Sequence, residues 1–179
     1  AAHKGGVMEH CQQAYDQLHQ AGIRVKLDDR DNLSPGWKFN EWELKGVPLR
    51  LEIGPRDIEN GVASYMRRDT FEKGTLPLDN LAQGVHDLLA DIQRSMFALA
   101  KAFMDEHTKD VHSYDELKEQ VQTGYARAMW CGQRSCEDKI KEETSATSRN
   151  MPFEQTPIGD TCVCCGEAAD KVMYFSKAY

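Results

Sequence analysis

Apolar and polar positions alternate along this chain with two different periods, and the change of period outlines the elements. Met8, Cys11, Ala14, Leu18 and Ala21 recur at helical spacing, and Gly22 follows as a helix stop. Ile23, Val25 and Leu27 then alternate with Arg24 and Lys26, which predicts a strand with one wet face. Beyond a polar turn (Asp28 to Asp31, then Ser34-Pro35-Gly36), Trp37 to Lys45 reads as a short amphipathic helix ended by Gly46. Val47, Leu49, Leu51 and Ile53 predict a second strand, stopped by Gly54-Pro55, and Val62 to Arg68 a third. If Leu49, Leu51 and Ile53 point into a core, Arg50 and Glu52 point away from it. Helix, strand, helix, strand, strand is an α/β order.

After Pro77 the period becomes helical for longer. Leu81, Val85, Leu88, Leu89, Ile92, Met96, Leu99 and Phe103 mark one long amphipathic helix, with Asp79 as candidate N-cap. Ser113-Tyr114-Asp115-Glu116 fits a capping box and predicts a helix to about Arg127. A polar helix follows near Cys136–Thr144, then a Ser/Thr-rich turn over 144–148 and a last strand, Val172 to Phe175. A domain boundary is expected near 105, dividing the chain into 1–105 and 106–179.

Composition adds constraints. The 179 residues are 40% hydrophobic, enough for a packed core. No apolar run of about 18 residues predicts a membrane span. The start, Ala1-Ala2-His3-Lys4, has no apolar signal region, and a cytoplasmic location is expected. The net charge of −7 argues against coating nucleic acid with bulk positive charge. That charge is uneven, however. From Lys38 to Lys73 seven basic residues balance seven acidic ones, so the acidity belongs to the flanks.

Five of the six cysteines fall in the last third of the chain. Cys131-x4-Cys136 and Cys162-x2-Cys165-Gly166 supply two thiolate pairs, the arrangement of a closed, structural Zn²⁺ site. Cys164 is a spare that competes as ligand, and buried free thiols or an oxidative disulfide are the alternatives. The neutral window also admits two readings. Its charges form an ordinary solvated face, or its mixed Glu, Asp and Arg read base edges of single-stranded RNA. Guanine offers N1–H and N2–H to a carboxylate, and O6 and N7 to an arginine fork.

Long stretches of sequence choose between them. Lys26-Leu27-Asp28-Asp29-Arg30-Asp31, the run Ser34 to Arg50, and Glu52-Ile53-Gly54-Pro55-Arg56-Asp57 resemble the anticodon-binding domain of prolyl-tRNA synthetases of the archaeal and eukaryotic-like type. Cys131-Gly132, Cys136-Glu137, Lys141 to Thr144, Pro152-Phe153, Cys162 to Gly166 and the ending Phe175 to Tyr179 resemble that family's C-terminal zinc domain. The resemblance implies a class II aminoacyl-tRNA synthetase anticodon-binding domain, a mixed sheet with flanking helices, followed by a small α+β zinc-binding domain. It implies recognition of the two guanines of proline anticodons in tRNA(Pro) by residues matching Glu43, Arg50, Arg56 and Asp57, with Lys73 a more distant basic contact. It also implies structural zinc on Cys131, Cys136, Cys162 and Cys165, and a Tyr179 carboxylate turned toward a catalytic domain.

The family's catalytic domain, which joins L-proline to tRNA with ATP and Mg²⁺ and from which a homodimer is expected, matches nothing here. Its first anticodon-domain strand would precede the helix at Met8–Ala21. The expectation is therefore a C-terminal fragment, inactive in proline activation by itself, with neither DNA nor membrane as partner. Rival classes are an independent zinc enzyme, which four cysteine ligands disfavour, and a zinc-stabilised protein-interaction module.

Overall fold

The computed structural model describes residues 2–178, and side chains from residue 6 onward. The chain divides into two compact units, 1–98 and 99–179.

In the first unit, α1 (Ala2–Gln20) turns Cys11, Ala14 and Leu18 inward, whereas Met8 and Ala21 are exposed. α2 (Pro35–Leu44) starts where Ser34 accepts a hydrogen bond from the Trp37 N–H and Pro35 occupies the first turn. β1 (Leu49–Glu52), β2 (Val62–Arg67) and β3 (Lys73–Pro77) form an antiparallel sheet in that order. α3 (Pro55–Glu59) connects β1 to β2. Ala14 and Leu18 of α1, Ala63 of β2, and Leu81 and Val85 of α4 (Leu81–Glu106) build the core, with Leu49, Leu51 and Leu76 against it.

Three expectations change here. Ile23–Leu27 is not a strand: its residues alternate between half-buried and exposed as the pattern requires, but they pair with no strand among the described residues. An apolar cavity of about 500 Å³ separates this segment from β1, so its backbone groups have no ladder to join. Asp79 does not cap α4; it sits inside a 3-10 turn, Leu78–Asn80, that leads into the helix. The apolar stripe of α4 is buried only as far as Ile92, and Met96, Leu99 and Phe103 are exposed.

The second unit is a four-stranded mixed sheet in the order β4-β5-β7-β6. β4 (Thr108–Asp110) runs parallel to β5 (Tyr125–Trp130), and β7 (Lys171–Lys177) pairs antiparallel with β5 and β6 (Ala146–Asn150). α5 (Tyr114–Gln120) opens with the expected capping box: Ser113 accepts from the Glu116 N–H, and Glu116 accepts from the Ser113 N–H. It ends seven residues before the expected Arg127, because Ala126, Ala128 and Met129 are buried in the central strand β5. α6 (Arg134–Thr144) ends at Ser145 in the left-handed conformation, and the Ser/Thr-rich segment after it is β6 rather than a turn.

Gly124 sits at the entrance to β5, where an added Cβ would lie 2.0 Å from the carbonyl oxygen of His107. That oxygen already accepts hydrogen bonds from the Tyr125 N–H and from Gln120 Nε2. Gly124→Ala is expected to force β4 and β5 apart at this point and cost about 2 kcal/mol, read as a lower urea midpoint of the second unit.

Candidate nucleic-acid interface and metal centre

Sheet register brings the first group of candidate residues together. Arg50 faces Met66, and Met66 faces Lys73, so one row crosses all three strands. The next row on the same face is Glu52, Ser64 and Thr75. The opposite face carries Leu49, Leu51, Ala63 and Leu76 into the core. Arg50 and Glu52 thus point away from the core, as the alternation predicts.

Arg50 is held on three sides. Its guanidinium carbon lies 3.7 Å from the centre of the Phe39 ring, Nε donates to Glu52 Oε1 at 2.9 Å, and one terminal nitrogen donates to Met66 Sδ at 3.0 Å. A thioether is a weak acceptor, so the outer fork of this arginine is only lightly engaged. Glu43 lies one helical turn beyond Phe39 on α2, and both line a small pocket with Trp42, Arg50, Met66 and Arg68. The Glu43 main-chain oxygen accepts from Arg68 Nε at 3.1 Å.

Asp57 occupies the third position of α3, where Oδ2 accepts from the Gly54 N–H and Oδ1 from Ser64 Oγ, both at 2.8 Å. These bonds tie Asp57 to the polar face of the sheet while leaving each carboxylate oxygen another lone pair. Lys73 is exposed at the far side of the same face. Arg56 is exposed on α3, next to Asp57, and its side chain forms no ion pair among the described residues. Tyr179 lies outside the described residues.

Phe39, Ser64 and Met66 join the site although the sequence did not single them out. Phe39 was within reach, being four positions before Glu43 on the same helix. Ser64 and Met66 depend on register, which only the paired sheet supplies.

The turn at residues 28–31 anchors α2 beside this face. Asp28 accepts from Arg30 Nε at 2.9 Å, from the Arg30 terminal nitrogen at 2.7 Å and from Trp42 Nε1 at 2.8 Å; Arg30 also reaches Glu41 at 2.7 Å. The Arg30 guanidinium, opposed by partial desolvation and assisted by Trp42, holds the Asp28 carboxyl well below the usual carboxylate range. Phe39 and Glu43 are therefore presented by a braced helix.

In the second unit, Cys131 follows the end of β5, Cys136 sits in the first turn of α6, and Cys162 and Cys165 come from a knuckle closed by a Gly166 N–H to Cys162 O bond of 2.9 Å. Gly166 has φ +76°, a left-handed value glycine adopts without strain. The four sulfurs lie within 4.8 Å of one another, with 3.7 Å between Cys131 and Cys136 and 3.9 Å between Cys131 and Cys165. Four sulfurs about 2.3 Å from a tetrahedral zinc would be about 3.8 Å apart, so the set fits such an ion. Burial pushes the Cys162 thiol up, but backbone N–H groups of Cys165, Cys164 and Cys131 outweigh it and bring its pKa down to about 7. Cys164 packs against the hydrophobic core and is not one of the four.

Both halves match known families. The family described as "Anticodon binding domain" matches residues 2–88, and "Prolyl-tRNA synthetase, C-terminal" matches residues 114–179. The chain is 50% identical over 181 residues to a proline–tRNA ligase of Alkaliphilus oremlandii, covering all of this chain and 38% of the relative. It is 49% identical to proline–tRNA ligase 2 of Clostridioides difficile, again over all of this chain and 38% of the relative. A proline–tRNA ligase of Lachnospira eligens is 47% identical over 98% of this chain and 37% of its own length. The fold is thus that of an anticodon-binding domain of the class II synthetase type. The chain belongs to the prolyl-tRNA synthetase family and spans somewhat over a third of the length of these relatives.

Proposed function

We propose that residues 1–105 recognise the two guanines of the proline anticodon in tRNA(Pro), and that residues 106–179 form a support held by a structural zinc ion. Glu43, Arg50, Arg56, Asp57 and Lys73 are the RNA-binding set. In the longer protein this module serves ligation of L-proline to its tRNA, with ATP and Mg²⁺ handled by a catalytic domain outside these residues. That protein acts as a cytoplasmic homodimer, and the Tyr179 carboxylate faces its catalytic domain. Among the described residues no helix is long and apolar enough to cross a membrane.

The observation that carries the reading is the row Arg50–Met66–Lys73, with Phe39 beside it and Asp57 tied to the neighbouring row. It offers an aromatic surface, an arginine fork and carboxylates on one face, the groups that splayed guanines require. Charges of both signs suit base edges, whereas phosphates would call for positive charge alone. The test is binding to tRNA(Pro) against tRNA with either anticodon guanine replaced. Arg50→Ala is expected to cost about 2 kcal/mol toward the cognate tRNA and much less toward the copy lacking its guanine. Equal weakening toward both would mean phosphate contact only and would overturn the assignment.

A further inference from the structure

The polar sheet face contains a second row that the reading residues stand on. Glu52 of β1 and Ser64 of β2 are register partners, directly opposite across the ladder. Each bonds to a different reading residue: Glu52 accepts from Arg50 Nε at 2.9 Å, and Ser64 Oγ donates to Asp57 Oδ1 at 2.8 Å. We propose that the Glu52–Ser64 rung is the positioning layer of the anticodon site, with Glu52 aiming the Arg50 fork and Ser64 aiming the Asp57 carboxylate. This rests on the anticodon reading above and names residues that set its base specificity without touching the base.

The geometry explains why both partners are needed. An arginine on a flexible stem can present its guanidinium in many directions. Phe39 holds the Arg50 guanidinium carbon 3.7 Å from its ring centre, but that contact alone leaves the guanidinium free to turn. Glu52 removes that freedom by engaging Nε, which leaves the two terminal nitrogens as the outward end. Met66 Sδ occupies one of them with a weak bond that a base oxygen or ring nitrogen can replace. Ser64 does the corresponding work as a neutral donor to the Asp57 carboxylate. It fixes one Asp57 oxygen while the Gly54 N–H fixes the other, so the free lone pairs of the carboxylate face a set direction.

Charge gives Glu52 a second effect. Paired with Glu52, Arg50 is locally neutralised and gains less from a phosphate, which any RNA supplies. A carboxylate beside the RNA site lowers indiscriminate affinity and leaves directional hydrogen bonds to decide. Removing it should therefore loosen selectivity while leaving overall affinity intact or higher. A residue that merely stabilised the sheet would not produce that combination.

The experiment measures dissociation constants of the 179-residue chain for tRNA(Pro) and for two copies, each with one anticodon guanine changed to adenine, at several salt concentrations. Variants are Glu52→Ala, Glu52→Gln and Ser64→Ala. Glu52→Ala is expected to lower discrimination at one guanine about tenfold, with affinity for the substituted tRNA unchanged or raised and a salt slope steeper by about one. Glu52→Gln keeps an acceptor for Nε and is expected to retain discrimination within about threefold of wild type. Ser64→Ala should lower discrimination several-fold at the other guanine. Wild-type discrimination that survives in both alanine variants, or equal weakening toward all three tRNAs, overturns the positioning role and leaves the anticodon reading standing. A wild-type chain that does not distinguish the three tRNAs overturns the anticodon reading itself.

Discussion

Chelation of the metal, or Cys162→Ser, is expected to unfold residues 99–179 and to leave the first unit folded. The reason lies in how the second unit is closed. Its core is one layer of small and medium side chains, Val111, Leu117, Val121, Ala126, Ala128, Ile140 and Ala146, with Met173 and Phe175 from the last strand. Between β6 and β7 runs a stretch of twenty residues, 151–170, whose one β-bridge among the described residues, Thr161–Ala168, is internal. It is tied to the sheet at Gln155 (to Val172) and at the core residue Val163 (to Met129). A stretch of that length needs an anchor. Cys162 and Cys165 provide it by meeting Cys131 after β5 and Cys136 in α6, so that one bound ion would join three parts of the unit. Structural zinc contributes on the order of 10 kcal/mol, comparable to the whole stability of a small domain. The expected outcome is one zinc per chain, and on chelation a loss of the Trp130 fluorescence signature and of amide protection in β5–β7. A chelated protein that keeps that protection would show the cysteines to be ordinary core thiols.

The clustering of the four cysteines was legible because its pattern is local: two short spacings and a glycine suffice to suggest a knuckle. Helices with a buried stripe, such as α4, and strands with one wet face, such as β1 and β2, were legible for the same reason. The failures share a physical cause. In β5, Ala126, Ala128 and Met129 are buried while Arg127 is half-buried beside Asp110; alanine, arginine and methionine are strong helix formers, so the segment looks like a continuation of α5. Ala146 to Asn150 has no apolar alternation and becomes a strand through pairing with β7, a partner more than twenty residues away. Ile23–Leu27 has the right pattern and no partner strand among the described residues. α3 is five residues long, too short for periodicity, though Gly54-Pro55 at its start and Asp57 at its third position mark a helix opening. In the site, alternation sufficed to place Arg50 outward. Its row with Met66 and Lys73, and the Glu52–Ser64 rung, required the register of a hairpin.

Alternation also separates two arginines that composition treats alike. Arg67 lies in the same charge-neutral window as Arg50, but it falls on the core face of β2 opposite Leu49 and is only 5% exposed. It donates to Asp69 through Nε at 3.0 Å and a terminal nitrogen at 2.8 Å, to Asp91 of α4 at 2.6 Å and to Ser95 at 3.2 Å. The bonds to Asp91 and Ser95 fasten the sheet to α4 where that helix has few buried apolar contacts. Arg67→Ala leaves Asp69, itself nearly buried, without its counter-charge and is expected to cost about 3 kcal/mol in the first unit. The pH dependence gives a sharper test. Arg67 holds the Asp69 and Asp91 carboxyls below their usual pKa against opposing desolvation, so their contribution is present above the ordinary carboxylate range and is lost as pH falls through the lowered folded values. In Arg67→Met the largest cause of that lowering is gone, and burial of Asp69 is opposed only by the backbone N–H groups of Asp69 and Thr70, so less stability is lost on acidification. Wild-type stability should decline on acidification below about pH 4, while the gap between wild type and Arg67→Met narrows. Urea midpoints of both proteins at pH 7 and pH 3 measure this, and a gap independent of pH would show that Arg67 acts by packing instead of charge.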